Sequence, residues 1–397
     1  MCLLVLLGRN AWAAPYIELP KSGLSPEHIA VVFLKDSALS EKIARHYVQK
    51  RNIPQKNLVS IELNPDNTVV DPGKFVVAKK VLEARLPESI QAYALAWAQP
   101  YRVGCMSMTA AFSYGYNVQY CASSCETTRT SPYFHSSSTA PYTDFSIRPA
   151  MMLAADTFAE AQALIARGIR ADNSLPEGKI ILLKTDDKAR TVRETLFSEV
   201  DKHFSRQFDV VIKQQNSVKD QRDILFYFTG SKHVEHLDTL QFMPGALADH
   251  LTSAGGMLTD SSQMSAMRWL EAGATASYGA AIEPCNFPQK FPNPLLAIWH
   301  YTKGATALEA YAKSVLMPGQ GNFIGEPLSA PYRAYRLNKH GSKLRIYSPV
   351  LREGSYVIYS EDFGLEHKRG VQLVDRYKPY LEVEVPFSSR YRIERDQ

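Results

Sequence analysis

Beyond the first few positions the chain has no apolar run near the roughly 18 to 20 residues that a helix needs to span a bilayer. That absence excludes a helical membrane span and predicts a soluble mature protein. No basic run of about five or more residues occurs, and a formal charge of +5 is small for 397 residues, which sets nucleic-acid binding aside. A phosphate-cradling Gly-x-x-x-x-Gly-Lys-Ser/Thr loop is missing, as is a dinucleotide fingerprint after the first strand pattern, so no cofactor is expected. The His-Glu-x-x-His pattern of zinc hydrolases is also absent. Its nearest approach is His233 and His236, two histidines at i and i+3, and no metal is expected. Ser277 lacks the Gly-x-Ser-x-Gly elbow of α/β-hydrolases.

Cysteine is scarce, at five residues. Cys2 falls in residues 1–13, where an apolar core precedes the small-x-small pattern Ala11, Trp12, Ala13. Those residues read as an export signal, and the mature protein is expected in the periplasm or secreted. Cys121 and Cys125 lie close enough, in a loop rich in Ser and Thr, to bridge one another in an oxidising compartment. A zinc pair is the competing idea, but no second Cys or His pair sits nearby at a familiar spacing. A Cys285 to Cys105 bridge is a further alternative.

What is present alternates in kind. Apolar runs at 29–34, 57–63, 90–97, 179–184, 208–213, 224–228 and 274–282 read as strands, with an irregular strand at 147–155. Helical spacing appears at 37–50, 75–86, 157–171 and 189–204, and at 294–315 with a break at Gly304. The segment between His236 and Ala274 is helix-like, and the stretch 319–332 holds a closing turn at 325–331. Strand and helix in alternation predict an α/β fold with a mainly parallel sheet flanked by helices, layered as in caspases and gingipains or as in flavodoxin. Residues 101–148 break the pattern with Gly, Ser, Thr, Tyr and Cys. Their aromatic content predicts an ordered excursion that forms one wall of a pocket. From residue 333 the runs 343–347, 355–359, 371–375, 380–385 and 391–395 are short and spaced by turns, which predicts a small antiparallel β module over 333–397 after an α/β domain over 14–332.

The chemistry on offer gathers where strands end, because ligand and catalytic groups collect at the carboxyl ends of strands in open α/β sheets. The run at 224–228 leads to His233 and His236, and the run at 274–282 leads to Glu283 and Cys285. A thiol with an imidazole in reach is a nucleophile, and the histidines stand about 50 residues before Cys285, the interval of a caspase-like pair. Cys285 as nucleophile, His233 or His236 as base, and Glu283 and Ser277 as pocket residues form the catalytic reading. Strand-end backbone N–H groups would supply its oxyanion site. Asp186 and Asp187 close the strand 179–184, where they either bind a cation, orient a histidine or cap the following helix. The rival reading is a non-catalytic envelope or secreted protein that keeps a hydrolase-like sheet for binding or structure, with a peptide or an envelope component as partner.

A resemblance rests on several short motifs together: residues 45–54, 270–279, Glu283 with Pro284, 289–294, and 325–328. Over residues 28–332 the chain resembles an uncharacterised family of exported bacterial proteins, which implies export and the domain boundary rather than a reaction. More distantly, residues 245–282 resemble the gingipain and caspase-like cysteine peptidases, where an Ala-rich helix precedes a Gly-Ala-rich strand. That resemblance implies a Cys-His dyad, which only Cys285 with His233 or His236 can match. The Gln-Ala-Cys-x-Gly pattern of the caspases is absent.

Overall fold

The structure is a computed structural model that describes residues 14–122, 124–362, 364–384 and 388–396. The expected export signal at residues 1–13 lies outside the described residues, as does Val385 at the end of one expected strand. The chain divides into two compact units. One is Ser22–Tyr332; the other joins residues 14–21 to those from Arg333 onward.

Ten strands of the larger unit form one sheet. In chain order they are β1 (Ile29–Leu34), β2 (Leu58–Ile61), β3 (Ala92–Leu95), β4 (Ala150–Met152), β5 (Lys179–Lys184), β6 (Asp209–Gln214), β7 (Ile224–Gly230), β8 (Phe242–Leu251), β9 (Ala276–Ala280) and β10 (Gly321–Gly325). Their spatial order is β6-β5-β7-β8-β9-β10-β4-β3-β1-β2. Neighbours are parallel everywhere except at β9 and β10, which run antiparallel from Ala276 opposite Gly325 to Ala280 opposite Gly321. The sheet is therefore two parallel halves of opposite direction, meeting at one antiparallel seam.

Composition explains the strands that were legible. All seven residues of β7 and five of the six in β1 are buried, as expected where helices cover both faces of a parallel sheet. The helices carry start and stop chemistry. The Ser37 hydroxyl accepts from Ser40 N at the head of α1 (Ala38–Arg51), and Asn52 ends it in the left-handed region at φ 53°. Asp71 caps α2 (Pro72–Glu83) by accepting from Lys74 N. A capping box of Thr157 and Glu160 opens α3 (Phe158–Ala171). The stretch 189–204 is a 3-10 turn, Thr191–Leu196, followed by α4 (Phe197–Phe204) rather than one helix. The expected break at Gly304, whose φ is 89°, separates α5 (Pro294–Thr302) from α6 (Ala307–Ala312).

Two strands overturn expectations. Phe242–Leu251 is β8 in the middle of the sheet, where a helix-like segment was expected. Pro244 and Gly245 disfavour a helix, and the polar pair Asp249 and His250, which would sit poorly in an apolar strand, is buried against tertiary partners. Gly321–Gly325 is β10, a strand just ahead of the closing turn, where none was expected. Glycine suits it because a Cβ on Gly321 would lie 1.8 Å from the Tyr278 hydroxyl oxygen on β9.

The excursion between β3 and β4 is ordered. It holds the short helices Met108–Tyr114 and Pro141–Phe145, and it buries Phe112, Tyr120 and Tyr133. In the smaller unit, Tyr16–Glu18, Arg390–Arg395, Gly354–Asp362 and Leu365–Val374 make a four-stranded sheet, and Arg336–His340, Lys343–Tyr347 and Leu381–Glu384 make a three-stranded one. Pairing is antiparallel apart from Tyr16–Glu18, which runs parallel to Arg390–Arg392. Leu344, Ile346, Tyr356, Ile358, Leu381 and Ile393 share its core. Among the described residues no helix is long and apolar enough to cross a membrane.

Candidate functional site

In the second half of the sheet the strands β5, β7, β8 and β9 end together. The chain reverses its order of addition between β5 and β7, which is where such sheets open a crevice. At that edge the Thr185 hydroxyl, one residue past β5, donates to the Gly230 carbonyl oxygen at 2.5 Å. Thr252, one residue past β8, accepts from Arg190 Nε at 3.0 Å and donates to Gln263 Oε1 at 2.5 Å. Gln263 Oε1 also accepts from Ala254 N. Each hydroxyl proton thus goes to a carbonyl or amide oxygen, which holds the strand ends together and does not activate a nucleophile.

The expected site residues are dispersed among other tasks. Cys285 is bonded through sulfur to Cys125, and Cys105 to Cys121. This corrects the expected Cys121–Cys125 bridge and removes the free thiol that a nucleophile at Cys285 requires. The physical reason is reach: the excursion carries Cys125 beside the segment after β9, with Cα atoms 5.5 Å apart. Cys285 itself sits in the left-handed region at φ 52°, and its N–H donates to Glu283 Oε1 at 2.7 Å. Glu283 therefore serves the local turn around the disulfide. His233 and His236 are exposed on the connection after β7; the ring of His236 faces Glu235, with Nε2 3.8 Å from Oε2.

Asp186 exchanges two hydrogen bonds with Asn216, accepting from its side-chain amide while its own N–H donates to Oδ1. Asp187 pairs with Arg190 at 2.8 Å, and its carbonyl oxygen receives the N–H groups of Arg190 and Thr191. Both aspartates organise the turn out of β5. Ser277 is buried in β9, and among the described residues its hydroxyl has no hydrogen-bond partner. Among the described residues no group of three or more His, Cys, Asp or Glu could hold a metal ion.

Two buried constellations escaped the sequence. Arg193 and Asp249, each about 2% exposed or less, form an ion pair at 2.6 Å. The same guanidinium donates to the carbonyl oxygens of Thr229 and Pro292, so one side chain joins β7, β8 and the segment beyond Cys285. Burial pushes the Asp249 carboxyl up, and the Arg193 charge draws it back. Next along β8, His250 accepts from Trp269 Nε1 at 2.9 Å through Nδ1, while Nε2 lies 3.0 Å from the Met264 carbonyl oxygen. That geometry fixes the neutral tautomer with its proton on Nε2, and burial pushes the imidazole down to about 3. The dipeptide Asp249-His250 was visible in the sequence, but its burial depended on reading 242–251 as a strand.

Glu326, in the 325–328 motif, is fully buried and accepts from Tyr47 Oη at 2.6 Å and from Arg51 Nε at 2.9 Å. Arg51 also pairs with Asp172. The motif therefore ties α1, α3 and the turn after β10 together by charge-assisted bonds. Compared with protein-family models, curated proteins and solved structures, the chain matches none.

Proposed function

We propose that this chain is an exported protein that uses a doubly wound, hydrolase-like α/β sheet as a binding scaffold and carries out no chemistry at Cys285. The observation that carries the reading is the Cys125–Cys285 disulfide, because a sulfur held in a bridge has no thiol for a histidine to deprotonate. The Thr185 and Thr252 hydroxyls at the strand ends support it, since their protons go to carbonyl and amide oxygens rather than to an imidazole or carboxylate. The two disulfides favour an oxidising location, periplasmic or secreted. The order β6-β5-β7-β8-β9 in the second half supports a flavodoxin-like layering.

The cysteine hydrolase reading requires the Cys125–Cys285 bond to open in the working form. The test is turnover of fluorogenic peptide libraries and acyl esters by the wild-type protein and Cys285→Ser, each with and without a mild reductant. No turnover above the variant is expected in either condition. Turnover that depends on Cys285 and appears with the reductant overturns the proposal.

A further inference from the structure

At the far end of the sheet from this edge, β2 is the last strand and, among the described residues, pairs only with β1, so its other side is open. Its four residues, Leu58–Ile61, carry no proline, no charge and no register shift against β1, three of the devices that commonly guard an edge strand. Beside it lies a groove of about 660 Å³ between the end of β2 and one face of α2. The α2 side of the groove is a stripe at helical spacing, Lys74, Val77 and Val81, three or four residues apart and therefore on one face, with Arg85 in the turn just past the helix. Val77 is 65% exposed and Val81 50%, so two branched apolar side chains face solvent between two cations. On the sheet side Lys35 and Glu62 pair at 2.6 Å across the ends of β1 and β2. The groove thus has an apolar middle and three cations against one carboxylate, which already pairs with one of them.

We propose that this groove binds an extended acidic peptide segment, which adds as a strand along β2, places apolar side chains against Val77 and Val81, and directs carboxylates to Lys74 and Arg85. An open edge offers a row of backbone donors and acceptors that only another extended chain satisfies, while the pockets beside it read alternate side chains. The excess of cations selects the sign of the partner. Opposite charges at the rim also make the affinity fall with salt. The inference rests on the scaffold reading and adds the class of partner to it.

The probes are capped ten-residue peptides that alternate Val with Glu, the same peptide with Lys for Glu, and the Glu peptide with a central proline, each titrated by fluorescence anisotropy into the disulfide-bonded protein. The Glu peptide is expected to bind, to weaken with salt and to slow amide exchange at Ser60, whose N–H faces away from β1. The Lys and proline peptides are expected to bind at least about tenfold more weakly. Val81→Glu and Arg85→Glu, both at exposed positions, are each expected to lose about tenfold or more in affinity with unchanged thermal unfolding. Equal binding of the Glu and Lys peptides, or no effect of either substitution, overturns the proposal. The result is independent of turnover at Cys285: failure here leaves an inert scaffold with another partner, whereas Cys285-dependent hydrolysis removes the scaffold reading whether or not the peptide binds.

Discussion

Cys125 and Cys285, 160 positions apart in sequence, share a disulfide that fastens the excursion between β3 and β4 to the segment leaving β9. A cross-link over so long a loop restricts the unfolded chain strongly, and removing such a bridge typically costs about 2–5 kcal/mol. The double variant Cys125→Ser, Cys285→Ser is therefore expected to lower the urea unfolding free energy by about that amount. A double variant as stable as the wild type would show that the bridge does not hold the fold.

The Arg193–Asp249 pair yields a second expectation. Breaking a buried pair leaves one charge without compensation, so Asp249→Ala should cost about 3–5 kcal/mol. Arg193→Met should cost more than loss of the ion pair alone, because the carbonyls of Thr229 and Pro292 lose their donor as well. A double-mutant cycle by chemical denaturation should return a coupling energy on the order of 1–3 kcal/mol. Additive costs would mean that the two side chains do not interact.

His250 gives the stability a pH dependence of known sign. Its folded pKa of about 3 is depressed by burial, below the roughly 6.5 of an unfolded chain. Between those values the unfolded form binds a proton that the folded form refuses. The contribution of the neutral ring is therefore complete above about pH 6.5 and is lost as pH falls toward about 3, at up to roughly 1.4 kcal/mol per pH unit. His250→Gln should make the stability slope in this window shallower by about one proton, measured as urea midpoints from pH 7 to pH 4. Parallel slopes would contradict the buried neutral ring.

Gly279 tests the packing beneath the strand ends. A Cβ there would lie 2.4 Å from the carbonyl carbon of Gly255, backbone against backbone with no flexible end to move aside. Gly279→Ala should destabilise by about 1–3 kcal/mol or more, read as a lowered thermal midpoint.

The sequence revealed those parts of the fold whose signal is local. β1 and β5 appear at their expected bounds, and α3 within one residue of them, because apolar runs and the Thr157–Glu160 box act over a few positions. β8 and β10 were hidden for opposite reasons. β8 carries Pro244, Asp249 and His250, whose place in a strand depends on Arg193, Trp269 and Met264. β10 is glycine-bounded because Tyr278 crowds Gly321 while Thr275 and Ala276 crowd Gly325. Within the candidate site, Cys285 and Asp187 do sit beyond strand ends, as the apolar runs before them imply. Their partners, Cys125 and Arg190, come from elsewhere or from the turn itself, and spacing along one strand cannot specify a cysteine pairing.

The most direct test of the central claim is a disulfide map of the folded protein purified without reductant, alkylated with iodoacetamide before digestion and read by mass spectrometry. The account predicts a peptide pair linking Cys125 to Cys285, with no alkyl group on Cys285. Recovery of alkylated Cys285 from folded protein, with Cys125 free or paired with Cys121, would contradict it.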